Sequence, residues 1–310
     1  VTGSIKGRDF LTVCDLTREE AEQVLALASR VKSDPSHFAR SLAGQVMVMI
    51  FEKPSLRTRV TFEAGISSLG GTAIYLAPDQ IRMGQREPVS DVARNLERWV
   101  QVIVARTFEH STLEQLAEHA SIPVMNALSD KTHPCQAFAD FQTIRECFGS
   151  ERIAIAYVGD GNNVCHSLML LGAMLGYEVR AATPKGYEPD SALLERALEL
   201  AVQSGGKIAL GHDPQELVTG VQVIYTDVWT SMGQEAEAKG RIKSFEGFQV
   251  NRSLVEAAGR EVKVMHCLPA HRGEEITEEV MDSPGSILFD QAENRLHAQK
   301  ALLLEILGGV

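Results

Sequence analysis

The sequence predicts an α/β protein built on parallel sheets in two halves, and three observations carry that prediction. Apolar runs of strand length recur along the whole chain with helix-length amphipathic stretches between them, the alternation expected of βαβ units. A fresh strand-turn-helix pattern starts at Ile153 after Gly149-Ser150 closes a helix. The 310 residues, 44% of them hydrophobic, fill two cores at roughly 150 residues per domain.

The expected strands are residues 45–51, 72–76, 101–105, 122–126, 153–158, 178–182, 207–210, 221–226, 262–266 and 286–289. A helix over 17–31 opens on a capping box of Thr17 and Glu20, and one over 111–120 on a second box of Ser111 and Glu114. Helix 135–147 closes the first half, and a long helix over 291–307 ends the chain. These spans divide the chain into a first domain of residues 1–148, a second of 149–292, and a C-terminal helix, 293–310, packing back on the first.

Thirty basic against forty-one acidic side chains leave a formal charge of −11. That balance argues against nucleic acid or an anionic membrane as partner, and it permits a small anion gripped by a local basic cluster. The five cysteines are scattered and never spaced Cys-x-x-Cys, so they read as reduced thiols and not as a zinc or redox motif. Val1–Glu20 lacks a signal-peptide core and no stretch reaches about eighteen apolar residues, which predicts a cytoplasmic protein. The start at Val1 leaves a removed targeting peptide open.

Open parallel sheets bind ligands beyond the carboxyl ends of their strands, and the polar clusters of this sequence fall there. Lys53-Pro54-Ser55-Leu56-Arg57-Thr58-Arg59 follows strand 45–51 and opens a helix, whose N-terminal N–H groups among Ser, Thr and Arg suit a phosphate. The plainer alternative is a capped helix with solvated arginines; a nucleotide P-loop is excluded by the missing Gly-Lys-Ser/Thr. Arg106 ends the third strand, and His133-Pro134-Cys135-Gln136 follows the fourth. Ser55, Arg57, Arg106 and His133 thus stand at successive strand ends, where they can converge on one anion.

In the second half, Gly159-Asp160-Gly161-Asn162-Asn163 follows a strand and opens a helix. The third glycine of a dinucleotide fingerprint is missing, as is an acidic residue at the end of strand 178–182, so a nicotinamide site is disfavoured and Asn163 is placed for a small ligand's carboxylate or amine. Asp227 ends strand 221–226 as a partner for an ammonium group or as a helix cap, and leads into Trp229-Thr230-Ser231-Met232-Gly233. His266 and Cys267 point to opposite faces of a strand, which argues against a shared metal.

Five strings in this order, Ser55-Leu56-Arg57-Thr58-Arg59, His133-Pro134-Cys135-Gln136, Asp227-Val228-Trp229-Thr230-Ser231-Met232-Gly233, His266-Cys267-Leu268-Pro269 and Glu293-Asn294-Arg295, resemble the ornithine carbamoyltransferases across essentially the whole chain. The resemblance implies two doubly wound parallel-sheet domains with the active site in the cleft between them, assembled as a homotrimer or a multiple of trimers. It implies carbamoyl phosphate and L-ornithine as substrates, no metal and no other cofactor. Ser55, Leu56, Arg57, Thr58, Arg106, His133, Gln136 and Arg295 would hold carbamoyl phosphate. Asn163, Asp227, Ser231 and Met232 would hold the α-groups of ornithine, and Cys267 with Leu268 would lie between the substrates. Two positions depart from the common pattern: Leu56 replaces Thr, and Arg82 stands where relatives carry Gln and would add charge if it reaches the site.

The implied chemistry is attack of the neutral δ-amine on the carbonyl carbon, with Arg57 gripping the phosphate and Arg106, His133 and Thr58 facing the developing oxyanion. Cys267, the leaving phosphate and solvent remain alternatives for the amine proton. Related acceptors such as putrescine or N-acylated ornithine form the alternative within the family, and an oxidoreductase or a non-catalytic sensor the alternatives outside it.

Overall fold

The computed structural model describes residues 4–81, 83–84, 86–230, 238–259 and 261–310. Among the described residues, nine strands form two all-parallel sheets: β1 (Val46–Phe51), β2 (Thr72–Leu76), β3 (Val102–Arg106) and β4 (Val124–Leu128) in the first, and β5 (Ala154–Val158), β6 (Glu178–Ala182), β7 (Lys207–Gly211), β8 (Val223–Thr226) and β9 (Lys263–His266) in the second. The central strands are largely apolar because both faces are covered: β3 reads Val-Ile-Val-Ala before its terminal Arg106, and every residue is buried. Edge strands β2 and β7 are the more exposed.

The first sheet has the order β2-β1-β3-β4 and the second β7-β6-β5-β8-β9. In each, the chain winds outward in one direction, returns, and winds outward in the other. Each sheet is therefore doubly wound, with one switch point, between β1 and β3 in the first and between β5 and β8 in the second.

The chain separates into two compact units, Val1–Gln142 with Glu293–Val310, and Thr143–Ala292. The division falls inside the helix Pro134–Phe148. Gln136, near its start, bonds Arg295 of the first unit, whereas Cys147, near its end, senses the charges of Lys263 and Asp290 in the second.

Two expected features are corrected. Residues 286–289 do not form a strand: Ser286 makes an isolated bridge to Val264, and the helix Leu288–Leu307 begins two residues later. Ile287 and Leu288 are both buried while Phe289 is 69% exposed, so the side chains do not alternate as strand burial requires. The second capping box is also absent. The helix His110–His119 starts after Glu109 without a side-chain cap, so Ser111 already lies inside it; Asp130 Oδ1, in the loop after β4, accepts the His110 N–H at 2.8 Å. The box of Thr17 and Glu20 forms as expected on the helix Arg18–Ser33.

Gly161 explains why the turn after β5 is glycine-rich. A Cβ there would fall on the backbone of Tyr187, Glu188 and Pro189, and Gly161 N–H already donates to Tyr187 O at 2.9 Å. The close approach is to the protein's own chain. Gly161→Ala is expected to destabilise by about 1–3 kcal/mol or more through overpacking, read as a lower urea midpoint. Gly240→Ala, where a Cβ meets nothing within 4 Å in the helix Ala238–Ser244, should be neutral or stabilising. Equal midpoints for the two variants would contradict this account.

Candidate active site

In the first unit, Phe51 and Arg106 are register partners, so β1 and β3 end at the same level beside the switch point. Two bonds tie the loops that follow: Glu52 N–H donates to Arg106 O at 2.8 Å, and Phe108 N–H to Glu52 Oε2 at 2.8 Å. Ser55 caps the helix Leu56–Ser68, its Oγ accepting from Thr58 N–H at 3.3 Å, an arrangement worth about 1 kcal/mol. The positive end of the helix dipole is thereby placed at the switch point. Leu56, the first residue of this helix, is 74% exposed. Arg57, half-buried, sits in the same first turn.

Thr58 is the first member of a buried chain of bonds. Its Oγ1 accepts from Arg295 Nη2 at 3.2 Å, Arg295 Nη1 donates to Gln136 Oε1 at 2.6 Å, and Gln136 Nε2 donates to Asp140 Oδ1 at 2.8 Å. Asp140 fixes the amide orientation, since a carboxylate accepts only from the amide nitrogen and leaves the oxygen for Arg295. The helix Leu288–Leu307 thus carries an arginine of this site, 237 residues away in sequence from Thr58.

His133 precedes the helix Pro134–Phe148, and its carbonyl accepts from Gln136 and Ala137 N–H at 3.1 and 3.3 Å. The loop before it is locked by Asn126, whose Nδ2 donates to Leu11 O at 2.8 Å and to Thr132 Oγ1 at 3.0 Å. Burial, then the charges of Arg295 and Arg106, hold the imidazole well below its ordinary 6.5. It is neutral at physiological pH beside two guanidinium groups. Neighbouring Cys135 is buried, its thiol pushed up to about 12, so it is inert.

In the second unit, Asn162 caps the helix Asn163–Leu175. Its Oδ1 accepts from Val164 and Cys165 N–H at 3.0 and 3.2 Å and from Tyr157 Oη at 3.2 Å, and its Nδ2 donates to Asp227 Oδ2 at 2.8 Å. Asp227 follows β8, so this bond spans the second switch point. Its other oxygen, Oδ1, accepts from Cys267 Sγ at 2.9 Å. Asn163 is half-buried in the first turn beside Asn162. Leu268 follows Cys267 with φ at 59°, and among the described residues it is the only non-glycine with positive φ. Arg82, Ser231 and Met232 lie outside the described residues.

Alternation along a strand would separate His266 from Cys267, and here the expectation is corrected. Ligand atoms of Asp227, His266 and Cys267 lie within 4.8 Å of one another, because β9 ends at His266 and the chain turns at Cys267. Both imidazole nitrogens are engaged, Nδ1 with Leu268 N–H at 2.8 Å and Nε2 with Glu275 Oε1 at 3.0 Å. The set is therefore a poor metal ligand despite its proximity.

Sequence reasoning missed four groups. Asn162, not only Asn163, reaches Asp227, and the N-cap preference for Asn before a helix is the signal that could have found it. Asp140 behind Gln136 is signalled by its i+4 helical spacing. Arg241 pairs with buried Asp160, donates to Trp229 O at 2.5 Å and lies over the Tyr187 ring, a tertiary arrangement with no local signature. Glu275, fully buried against His266, is equally silent in sequence.

His133 gives a stability prediction. Its native pKa is depressed while the unfolded chain titrates near 6.5, so below about pH 6.5 the unfolded state binds more protons and stability falls, by at most about 1.4 kcal/mol per pH unit from this residue. The stability deficit of His133→Gln relative to the parent should therefore shrink between pH 7.5 and pH 5.5 in urea titrations. A deficit that stays constant over that range would contradict the buried neutral imidazole.

The same two halves are recognised by comparison with known proteins. The carbamoyl-P binding domain of the aspartate/ornithine carbamoyltransferases matches residues 8–146, and the Asp/Orn binding domain of the same family matches residues 151–306. The ornithine carbamoyltransferase of Thermococcus kodakarensis is 52% identical over 99% of this chain and 98% of its own length. The solved ornithine carbamoyltransferase of Pyrococcus furiosus has a TM-score of 0.96 at 50% identity, covering 99% of both chains, and that of Thermus thermophilus 0.87 at 48%, covering 96% of this chain and 98% of its own. With both domain models matched in order and half of its residues identical to those of full-length members, the chain belongs to the aspartate/ornithine carbamoyltransferase family.

Proposed function

We propose that this protein transfers the carbamoyl group from carbamoyl phosphate to the δ-amine of L-ornithine, giving L-citrulline and phosphate, as a cytoplasmic homotrimer or multiple of trimers in arginine metabolism. The observation that carries the choice of acceptor is Asp227, a buried carboxylate at the second switch point held by Asn162 and Cys267. A carboxylate there attracts an amino acid's ammonium group and repels the second carboxylate of aspartate. The names of the full-length relatives point the same way.

In this reading, residues 1–148 with the C-terminal helix bind carbamoyl phosphate and residues 149–292 bind ornithine. Ser55, Leu56, Arg57 and Thr58 offer the phosphate a helix N-terminus, and Arg57 and Arg106 offer it guanidinium forks. Arg295 and Gln136 orient Thr58, and neutral His133 donates a hydrogen bond to the carbamoyl oxygen without competing for the amine's proton. Asn163, Asp227, Ser231 and Met232 take the α-groups of ornithine. The δ-nitrogen lone pair forms the new C–N bond, the tetrahedral carbon then breaks its C–O bond to phosphate, and the amine gives up one proton. Cys267 Sγ–H is already donated to Asp227, so its first role is to position that carboxylate; the departing phosphate supplies an oxygen for the proton.

A citrulline-forming assay offering ornithine, putrescine, aspartate and N-acetylornithine side by side tests the assignment, with ornithine the preferred acceptor. Arg106→Ala should lower turnover about 100-fold or more while leaving the melting curve cooperative; near-parental turnover would overturn the phosphate site. Cys267→Ser should raise KM for ornithine and spare carbamoyl phosphate binding, and unchanged ornithine kinetics would show the thiol to be incidental.

A further inference from the structure

The segment from Cys267 to Ala270 is held at both ends by one carboxylate. Glu275 Oε1 accepts from His266 Nε2 at 3.0 Å and from His271 N–H at 2.6 Å, so it staples the residue before the segment to the residue after it. His266 and Glu275 are both fully buried. The backbone of Glu275 is anchored by Val250 N–H, which donates to Glu275 O at 2.8 Å. His266 is anchored through its own N–H, given to Gln291 Oε1 at 2.9 Å.

The protonation of His266 follows from these bonds. A backbone N–H can only donate, and Leu268 N–H points at His266 Nδ1 at 2.8 Å, so Nδ1 carries the lone pair. The ring proton is therefore on Nε2, facing a carboxylate that can only accept. Glu275 thus selects the tautomer that lets His266 accept from Leu268. Leu268 is the residue that needs such help, since a branched side chain at φ 59° is strained and persists only where its surroundings over-determine it.

We propose that His266 and Glu275 are positioning residues for carbamoyl transfer: Glu275 fixes the His266 ring, and His266 Nδ1 holds the Leu268 peptide in its left-handed conformation, which aims the Cys267-Leu268 backbone at the reacting group. This rests on the reading above that Cys267 and Leu268 lie between the two substrates. Neither positioning residue touches substrate; each acts through Leu268. The roles resemble those of outer-shell partners of metal-bound histidines, whose loss costs about 10–100-fold.

Glu275→Ala and Glu275→Gln form the test, because the glutamine amide oxygen still accepts from both donors. The expected result is a kcat lowered about 10–100-fold in Glu275→Ala with KM for carbamoyl phosphate within about twofold of the parent, and kcat largely restored in Glu275→Gln. Parental kcat in a folded Glu275→Ala variant, or equal losses in the two variants, would overturn the proposal. Should the alanine variant fail to fold, the parent protein labelled with 15N-histidine decides by itself. His266 must show the Nε2–H tautomer, and an Nδ1–H or doubly protonated ring would overturn the proposal. A parent protein that forms no citrulline would instead defeat the reading of function, leaving the tautomer measurement to stand or fall separately.

Discussion

Reversal of winding in a parallel sheet is the constraint on which the rest of this structure depends. On either side of a switch point the chain leaves neighbouring strands in opposite directions, so the loops diverge and open a crevice at the carboxyl ends of the strands. Between β1 and β3 that crevice receives the first turn of the helix Leu56–Ser68 and the end of β3 with Arg106. Between β5 and β8 it receives the cap residue Asn162 and Asp227. Each unit places charge where its fold leaves room, and the sign differs: cationic in the first, anionic in the second.

Burial raises the consequence of those charges. Arg106 and Arg295 are nearly inaccessible, and their fields, added to burial, keep His133 neutral. A low-dielectric surrounding strengthens attraction to an anion and makes like-charge crowding costly. Uncharged Thr58 and Gln136 accept from Arg295, and the Asp140 carboxylate accepts from the amide nitrogen of Gln136. The overall charge of −11 therefore belongs to the rest of the surface, and the local sign at the helix N-terminus is the opposite.

What was legible in the sequence follows the range of the forces involved. Strands β2 and β6 match their expected limits because alternation of apolar runs and helices is a local pattern. Residues at strand ends, such as Arg106 and Asp227, could be named for the same reason. Local rules failed where a distant group acted at a helix start: the helix begins at His110, whose N–H goes to Asp130, so Ser111 lies inside the first turn and is not the cap. They failed again at His266 and Cys267: the strand ends at His266, where the apolar pattern placed its end, and the alternation assumed to continue to Cys267 does not. Arg241 and Glu275 carry no periodic or capping signal at all, and only tertiary packing gives them partners.

Asp227 shows why a carboxylate with two partners can still serve a third. Each carboxylate oxygen offers two lone-pair directions. Among the described residues, Oδ2 uses one for Asn162 and Oδ1 uses one for Cys267, and in the function proposed above a second direction on each oxygen serves the ammonium group. In the function proposed above, the acceptor therefore need not break either bond to bind, and these two bonds set the orientation of the carboxylate beforehand. Preorganisation of this kind removes the cost of ordering a free side chain during binding. It also joins Asn162, which fixes the helix N-terminus after β5, to Cys267, whose neighbour Leu268 is held by His266. Asp227, proposed above as the partner of the acceptor's ammonium group, and the Cys267-Leu268 turn consequently belong to one hydrogen-bonded unit.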